Sequence, residues 1–382
     1  MYSVASFGEM IADRVRMDAY ARALRQAIRP GSIVVDIGTG TGVLALISCQ
    51  CGAGRVYAID TSDAVAVARE AVRDNGFADR VVIIHQRSTD VAIPDRADVI
   101  VSDIRGVLPP LGLNLASLID ARERFLANGG NLIPWRDRIY AALVEFPERH
   151  QKMVAPWTEE SLGLNLRSGL RYVQNCWGKA RVPLNQLLSA PRMWAELDYA
   201  SMTTTGIRGS GELFAARKGV AHGLLAWFDT ELGPGVGFSN APGGPELIYG
   251  QAFFPWPEAV PVRESDVVAF DIRADFVGGD YVWTWNSEVR HGSNDGTVDA
   301  RFRQSSFIGS PLAEDSFARR SPRHQPGLSK DGAIVRAVLE RMSAGASLGE
   351  IARVLHKNYP ARFRSWQDAL DFASDISSRY GC

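Results

Sequence analysis

Val34-Val35-Asp36-Ile37-Gly38-Thr39-Gly40-Thr41-Gly42 decides how this chain is read. An apolar run ends in an acid, glycines follow at alternate positions, and a helical pattern runs from Val43 to Ser48. That order spells a strand, a tight loop and a helix N-terminus. Glycine lets backbone and ligand approach closely, and the first helical turn leaves N–H groups free. A second apolar run, Val56–Ile59, ends in Asp60, where a carboxylate can accept hydrogen bonds from a ribose diol.

Working outward, residues 32–145 alternate between the two periodicities. Strands are expected at Ile33–Ile37, Val56–Ile59, Val81–His85, Val99–Ser102, Leu132–Pro134 and Ile139–Val144, with helices at Gly42–Gln50, Ser62–Asn75 and Leu113–Leu126. The fold class is therefore α/β, a doubly wound Rossmann-like sheet with helices on both faces. Ligands of such sheets bind at the carboxyl ends of the strands, where the glycine loop, Asp60, His85–Asp90 and Ser102–Gly106 fall. Upstream, Phe7–Ile28 reads as one amphipathic helix that Pro30-Gly31 stops. Beyond Trp194, short alternating runs separated by Gly/Pro turns read as an all-β sandwich or barrel to about Trp285. Residues 286–330 read as loop or linker. The tail is helical at Ile334–Met342, Ser347–His356 and Ser365–Arg379.

Composition narrows the class. With 382 residues, 46% hydrophobic and 22% charged, the chain is globular and multidomain. A formal net charge of −1 gives no general attraction to nucleic acid or membrane, so neither partner is expected. No run approaches the roughly 20 apolar residues of a membrane span. The N-terminus has no basic segment before an apolar core and reads as carrying no signal peptide. Cys49, Cys51, Cys176 and Cys382 have no zinc spacing, so no metal is expected and the thiols fit a reducing cytoplasm.

The cofactor follows from the glycine spacing. A dinucleotide fingerprint needs Gly-x-Gly-x-x-Gly, but position 43 is valine and no second phosphate-binding feature follows. Alternate glycines after an acid-bearing strand suit a smaller ligand, an adenosine with a charged amino-acid tail. S-adenosylmethionine (SAM) fits, its methionyl part against the loop amides and its ribose against Asp60. A nicotinamide cofactor and a ligand-free turn stay as alternatives. His85 and His222 have no partner acid at a telling spacing and read as structural.

From residue 7 to about 285 the chain resembles the protein arginine methyltransferase family. The matching stretches are Glu9–Arg16 with Tyr20, Val35–Gly42, Val56–Asp60, Ala121–Leu126, Gly129–Pro134, Ala226-Trp227-Phe228 and Gly237–Pro242. The resemblance implies a SAM-binding domain (residues 1–145), then a β-barrel substrate domain (146–290). A helical arm inserted at about 155–195 would pair two subunits as a homodimer. It implies that Met10 packs near the SAM sulfur and Arg16 pairs with the SAM carboxylate. Asp36, Gly38, Thr39, Gly40 and Gly42 line the methionyl end, Asp60 takes the ribose, and Ser88 and Thr89 stand at the adenine.

The acceptor loop departs from the family pattern. Arginine methylation there uses two glutamates on the loop after the fourth strand. Here the loop runs Ser102-Asp103-Ile104-Arg105-Gly106-Val107-Leu108-Pro109-Pro110-Leu111-Gly112. The first acid is Asp103, the second position is Gly112, and Arg105 replaces an apolar residue. The family's Thr-His-Trp signature aligns with Leu247-Ile248-Tyr249. Losing a carboxylate and gaining a guanidinium disfavours a cationic acceptor. The expectation is a neutral or anionic N or O acceptor on a peptide or small molecule, with Asp103 as general base or hydrogen-bond partner and Arg105 as orienting group. The alternatives are an arginine methyltransferase that draws its second acid from Asp13 or Glu231, and a non-catalytic SAM-fold subunit. After a linker (291–329), the small helical C-terminal domain (330–382) resembles the winged-helix-like domains that bind leader peptides in ribosomal peptide pathways. That resemblance implies a precursor peptide as substrate.

Overall fold

The computed structural model describes residues 3–158, 163–291, 298–311, 319 and 321–381. The chain divides into two compact units, residues 1–311 and 312–382.

The first unit opens with two helices, α1 (Val4–Ala12) and α2 (Arg14–Ala27), where the sequence suggested one. Asp13 breaks them. Its backbone leaves the helical region, and its side chain accepts the Arg16 N–H as an N-cap. Helix α2 buries Arg16, Met17, Ala19, Tyr20, Ala23 and Leu24, a stripe of helical period. Helix α1 buries nothing fully.

A parallel sheet follows, with strands β1 (Ile33–Ile37), β2 (Arg55–Asp60), β3 (Val81–His85), β4 (Ala97–Ser102) and β5 (Leu126–Ile133) in the order β3-β2-β1-β4-β5. Helices α3 (Val43–Gln50), α4 (Val65–Asp74) and α5 (Asn114–Phe125) connect them. Strands β1, β2 and β4 are near-continuous apolar runs because helices cover both faces of the sheet. The winding reverses between β1 and β4, whose ends are in register at Ile37↔Ser102. That reversal opens a crevice at their carboxyl ends, between the glycine loop and the loop starting at Asp103.

The chain then turns antiparallel. Strands β6 (Arg136–Val144), β7 (Gly178–Ala180), β8 (Arg192–Asp198), β10 (Gly219–Gly233), β11 (Val236–Ser239) and β12 (Gln251–Val262) pair in the order β7-β12-β10-β6-β8, with β11 beside β10. Strands β9 (Ile207–Phe214), β13 (Val267–Val277), β14 (Asp280–Arg290) and β15 (Val298–Ser305) form a second ladder, β15-β14-β13-β9. The region expected as a barrel consists of two antiparallel ladders. They share one core, where Phe254 and Trp256 of the first meet Trp285 and Phe302 of the second at ring separations of 5.4 and 5.2 Å. Helices α6 (Pro147–Thr158) and α7 (Leu170–Val173) lie between β6 and β7. The linker reading of 291–329 is corrected in part. Residues 298–305 are strand β15, whose alternation is masked by Arg301 and Arg303 on its exposed side, and helix α8 (Ser306–Gly309) follows. Residues 292–297, 312–318 and 320 of that stretch lie outside the described residues.

The second unit holds helices α9 (Lys330–Ser343), α10 (Leu348–Asn358) and α11 (Trp366–Tyr380). Ser347–Glu350 and Ser365–Asp368 form reciprocal capping boxes, each satisfying two orphan N–H groups. Val338, Ile351, Leu355, Phe363 and Ala373 lie in its own small core.

Candidate active site

A cleft of about 960 Å³ opens at the crevice predicted by the winding reversal. Met10, Arg16, Gly38, Thr39, Gly40, Asp60, Ser88, Asp103 and Arg105 all line it. These residues come from five separate stretches, whereas Asp36 and Gly42, also expected at the methionyl end, do not line the cleft.

On one wall stands the glycine loop. Gly38 and Gly40 have φ of +75° and +53°, a region side chains rarely adopt. A Cβ on Gly38 would also strike Ile104 at 2.0 Å, and one on Gly40 would strike Phe7 at 2.5 Å. Four of the five amides of Gly38–Gly42 are already engaged, contrary to expectation. Gly38 and Thr39 donate to the Ile59 carbonyl, Gly40 donates to Asp60 Oδ2 at 2.7 Å, and Gly42 donates to Thr39. The reason is the tightness of the turn, which folds the loop back on the end of β2. Asp60 also accepts the Ser62 N–H at Oδ1 (2.7 Å) and so shapes the loop from below.

Asp36 is fully buried and accepts the Thr39 hydroxyl at Oδ2 (2.6 Å), while its Oδ1 has no partner. Burial raises its pKa to about 7, the nearby Asp60 charge adds to the rise, and the Thr39 hydrogen bond opposes it. Ser88 is buried on a single helical turn, and its carbonyl accepts from Arg124 at 2.6 Å. Thr89, placed at the adenine with Ser88 by the resemblance, instead faces solvent and donates to Asp90. Adjacent residues of one turn point apart, so Gln86, Arg87 and Ser88 line the cleft and Thr89 does not.

The other wall is a charge cluster centred on Arg105. Its Nη1 donates to Asp137 Oδ1 (2.9 Å) and Thr230 Oγ1 (2.7 Å), and its Nη2 donates to Tyr20 (2.5 Å) and Asp103 Oδ1 (3.2 Å). Rings of Tyr20, Phe228, Phe238 and Tyr249 surround the guanidinium at 5.3–5.9 Å. Burial opposes this charge, but the oxygens of Tyr20, Asp137, Tyr249 and Asp103 more than offset it, so its pKa stands well above the usual value. Asp137 is completed by the Tyr199 hydroxyl at 2.6 Å.

Asp103 is held from three sides. Besides Arg105, the Tyr249 hydroxyl lies 2.7 and 2.8 Å from its two oxygens, and Arg16 Nε lies 3.2 Å from Oδ2. The Arg16 contact is an ion pair without hydrogen-bond alignment, which leaves Nε without a hydrogen-bond partner. Burial lifts the Tyr20, Tyr199 and Tyr249 phenols well above their usual pKa, so they act as neutral donors.

Tyr249, Asp137, Thr230 and Tyr199 escaped sequence reading as site members. They come from β6, β10 and the segments after β8 and before β12, and only the register Asp137↔Thr230 brings two of them level. The suggested second acids are both engaged elsewhere. Asp13 binds two backbone amides, and Glu231 faces Arg138 at 3.6 Å outside the cleft. Gly112 has φ of +46° and nothing lies within 4 Å of where a Cβ would stand. His85 contacts the Thr61 carbonyl, His222 accepts the Phe146 N–H, and neither lines the cleft. Among the described residues no group of His, Cys, Asp and Glu could hold a metal ion, and no helix is long and apolar enough to cross a membrane.

Known proteins match both halves of this architecture. The family model of ribosomal protein L11 methyltransferase (PrmA) matches residues 20–134, and that of the arginine methyltransferase oligomerization subdomain matches 136–277. The chain is thus protein arginine methyltransferase-like, with the fold of the class I SAM-dependent methyltransferases. Arabidopsis thaliana probable protein arginine N-methyltransferase 6 is 31% identical over 58% of this chain and 53% of its own. Xenopus tropicalis protein arginine N-methyltransferase 6 is 29% identical over 69% of this chain and 82% of its own. The chain spans 53–58% of the first Arabidopsis and rice relatives. Arabidopsis protein arginine methyltransferase 10 shares the fold with a TM-score of 0.70 at 21% identity, covering 79% of this chain and 97% of that one. The Trypanosoma brucei PRMT1 enzyme–prozyme complex with AdoHcy gives 0.71 at 20% identity, covering 78% of this chain and 96% of that one.

Proposed function

We propose that this chain is a SAM-dependent methyltransferase whose acceptor is a neutral or anionic N or O group on a peptide or small molecule, not a plain protein arginine. The observation that carries this reading is the Arg105 guanidinium. It already sits between Asp103 and Asp137, the two carboxylates that meet it in the cleft wall. With Arg16 also on Asp103, two cations face two anions, and a cationic acceptor finds no net negative charge.

The glycine-loop wall fits an adenosyl amino acid. Asp36 lies fully buried behind the loop, outside the cleft lining, where its charge can act on an ammonium group through the loop, and Asp60 flanks the loop where a ribose would lie. Met10 and Ser88 face the same space. When bound, SAM supplies a methyl group on a sulfonium sulfur. The chain's own residues hold the acceptor: Asp103 accepts its proton or hydrogen bond, and Tyr249, Arg16 and Arg105 fix the direction of that carboxylate.

Arginine N-methylation is the second reading, favoured by the names of the relatives. Tritiated SAM with arginine-rich peptides separates the two. No label on arginine, beside tight S-adenosylhomocysteine binding, supports the first reading, and efficient arginine labelling overturns it. A homodimer through the arm at about 155–195, and a peptide delivered by its leader to residues 330–382, complete the proposal. Deleting 330–382 should then weaken precursor binding and leave S-adenosylhomocysteine binding intact. The free thiols Cys49, Cys51 and Cys176 agree with a cytoplasmic location.

A further inference from the structure

Asp13 stands between α1 and α2, and its carboxylate does more than cap a helix. Oδ1 accepts the N–H of Arg16 at 3.2 Å, the ordinary N-cap bond of α2. Oδ2 accepts the N–H of Ile248 at 2.9 Å, a bond across 235 residues of sequence. Capping does not require that second bond.

The two tethered amides share a destination. Arg16 places its guanidinium on Asp103 Oδ2, and Tyr249, next after Ile248, places its hydroxyl on both Asp103 oxygens. One carboxylate thus fixes the backbone origins of two side chains that converge on another. The turn bearing Tyr249 is gripped from its other side as well, because the Lys179 ammonium of β7 donates to the Ile248 carbonyl. The fit there is close. At Gly250, with φ of +60°, a Cβ would meet the Ala180 carbonyl at 2.7 Å and the Lys179 stem at 3.0 Å. Ile248 is therefore held at both its amide and its carbonyl, so small changes in either grip move the Tyr249 hydroxyl.

We propose that Asp13 is a positioning residue that keeps Arg16 and Tyr249 in register on Asp103. It touches no reacting atom, and the role holds whichever acceptor Asp103 serves. Loss of the Ile248 tether frees the 248–250 turn, so the phenol swings away and water replaces it on the carboxylate. Loss of the Arg16 bond alone frays only the first turn of α2.

The test uses the full chain labelled with ¹³Cζ-tyrosine, its Tyr249 signal assigned through Y249F. D13S retains a capping hydroxyl but is too short to reach Ile248. The Tyr249 signal should move toward that of free tyrosine. Amide exchange at 247–250 should rise about tenfold, the effect of losing one hydrogen bond to a charged group. Protection at 16–20 should persist. D13N is the second variant and also caps well. Its single acceptor oxygen serves one of the two N–H groups, so either the Ile248 bond is lost and the same signal moves, or the Arg16 N–H loses its cap and protection at 16–20 falls. An unmoved Tyr249 signal with wild-type exchange at 247–250 in folded D13S, or in folded D13N whose 16–20 protection also persists, overturns the proposal.

Discussion

The two walls of the cleft treat their carboxylates in opposite ways. Behind the glycine-loop wall, Asp36 is fully buried with one oxygen unmet and a pKa near neutrality. On the facing wall, both oxygens of Asp103 and both of Asp137 have partners, and those partners include a buried guanidinium. A buried polar group left open costs free energy that a ligand can recover, whereas a closed network resists entry by another charge. The first wall leaves a buried charge uncompensated behind it, and the second is closed to a further cation while Asp103 still lines the cleft.

Removing Arg105 tests that contrast most severely. R105M leaves Asp137 fully buried with only the Tyr199 hydroxyl, and breaking a buried pair costs about 3–5 kcal/mol. Equilibrium unfolding should show that loss, and near-wild-type stability would mean the wall is not closed by this residue. Y249F comes next. It preserves the stacking on Phe238 but strips Asp103 of its phenol, for a loss of about 2 kcal/mol.

Asp36 gives a pH-dependent test of the other wall. Its folded pKa of about 7 lies above the ordinary 3.8. Its contribution to stability is then full below that ordinary value and is lost as pH rises through 7. The unliganded protein should melt at lower temperature at pH 8 than at pH 5.5, with a smaller difference in D36N. Binding S-adenosylhomocysteine at pH 7 should release about half a proton, read as a heat that changes with buffer ionisation and vanishes in D36N. The smallest effect belongs to G112E. Space is open there, but the positive φ costs about 1 kcal/mol for a side chain. Restoring an acid at this position should not by itself permit arginine labelling while Arg105 stays, and labelling by G112E alone would break the contrast.

Much of the first wall was legible in the sequence because its parts are local. Strand, alternate glycines and an acid-ended second strand occur within Val34–Asp60, and the parallel register follows from their order. Even so, the loop amides turned out to be engaged with Ile59 and Asp60, and Thr89 turned outward, since a one-residue change of direction on a short turn leaves no trace in spacing. The second wall was legible only as a departure at Asp103 and Arg105. What Arg105 binds could not be read from its loop, because Tyr20, Asp137, Thr230 and Tyr249 come from four distant segments.

By itself, then, the sequence determined the α/β sheet, the antiparallel region after it, the helical tail and the stretches of chain that meet at the first wall, though not which of their residues face it. Short-range periodicity and glycine conformation govern those features. Tertiary structure alone decided that Arg105 closes a carboxylate pair and that Asp13 reaches Ile248. Those bonds depend on the register of β6 with β10 and on where α2 docks, which are set by packing of apolar faces and not by the polar residues that later meet across them.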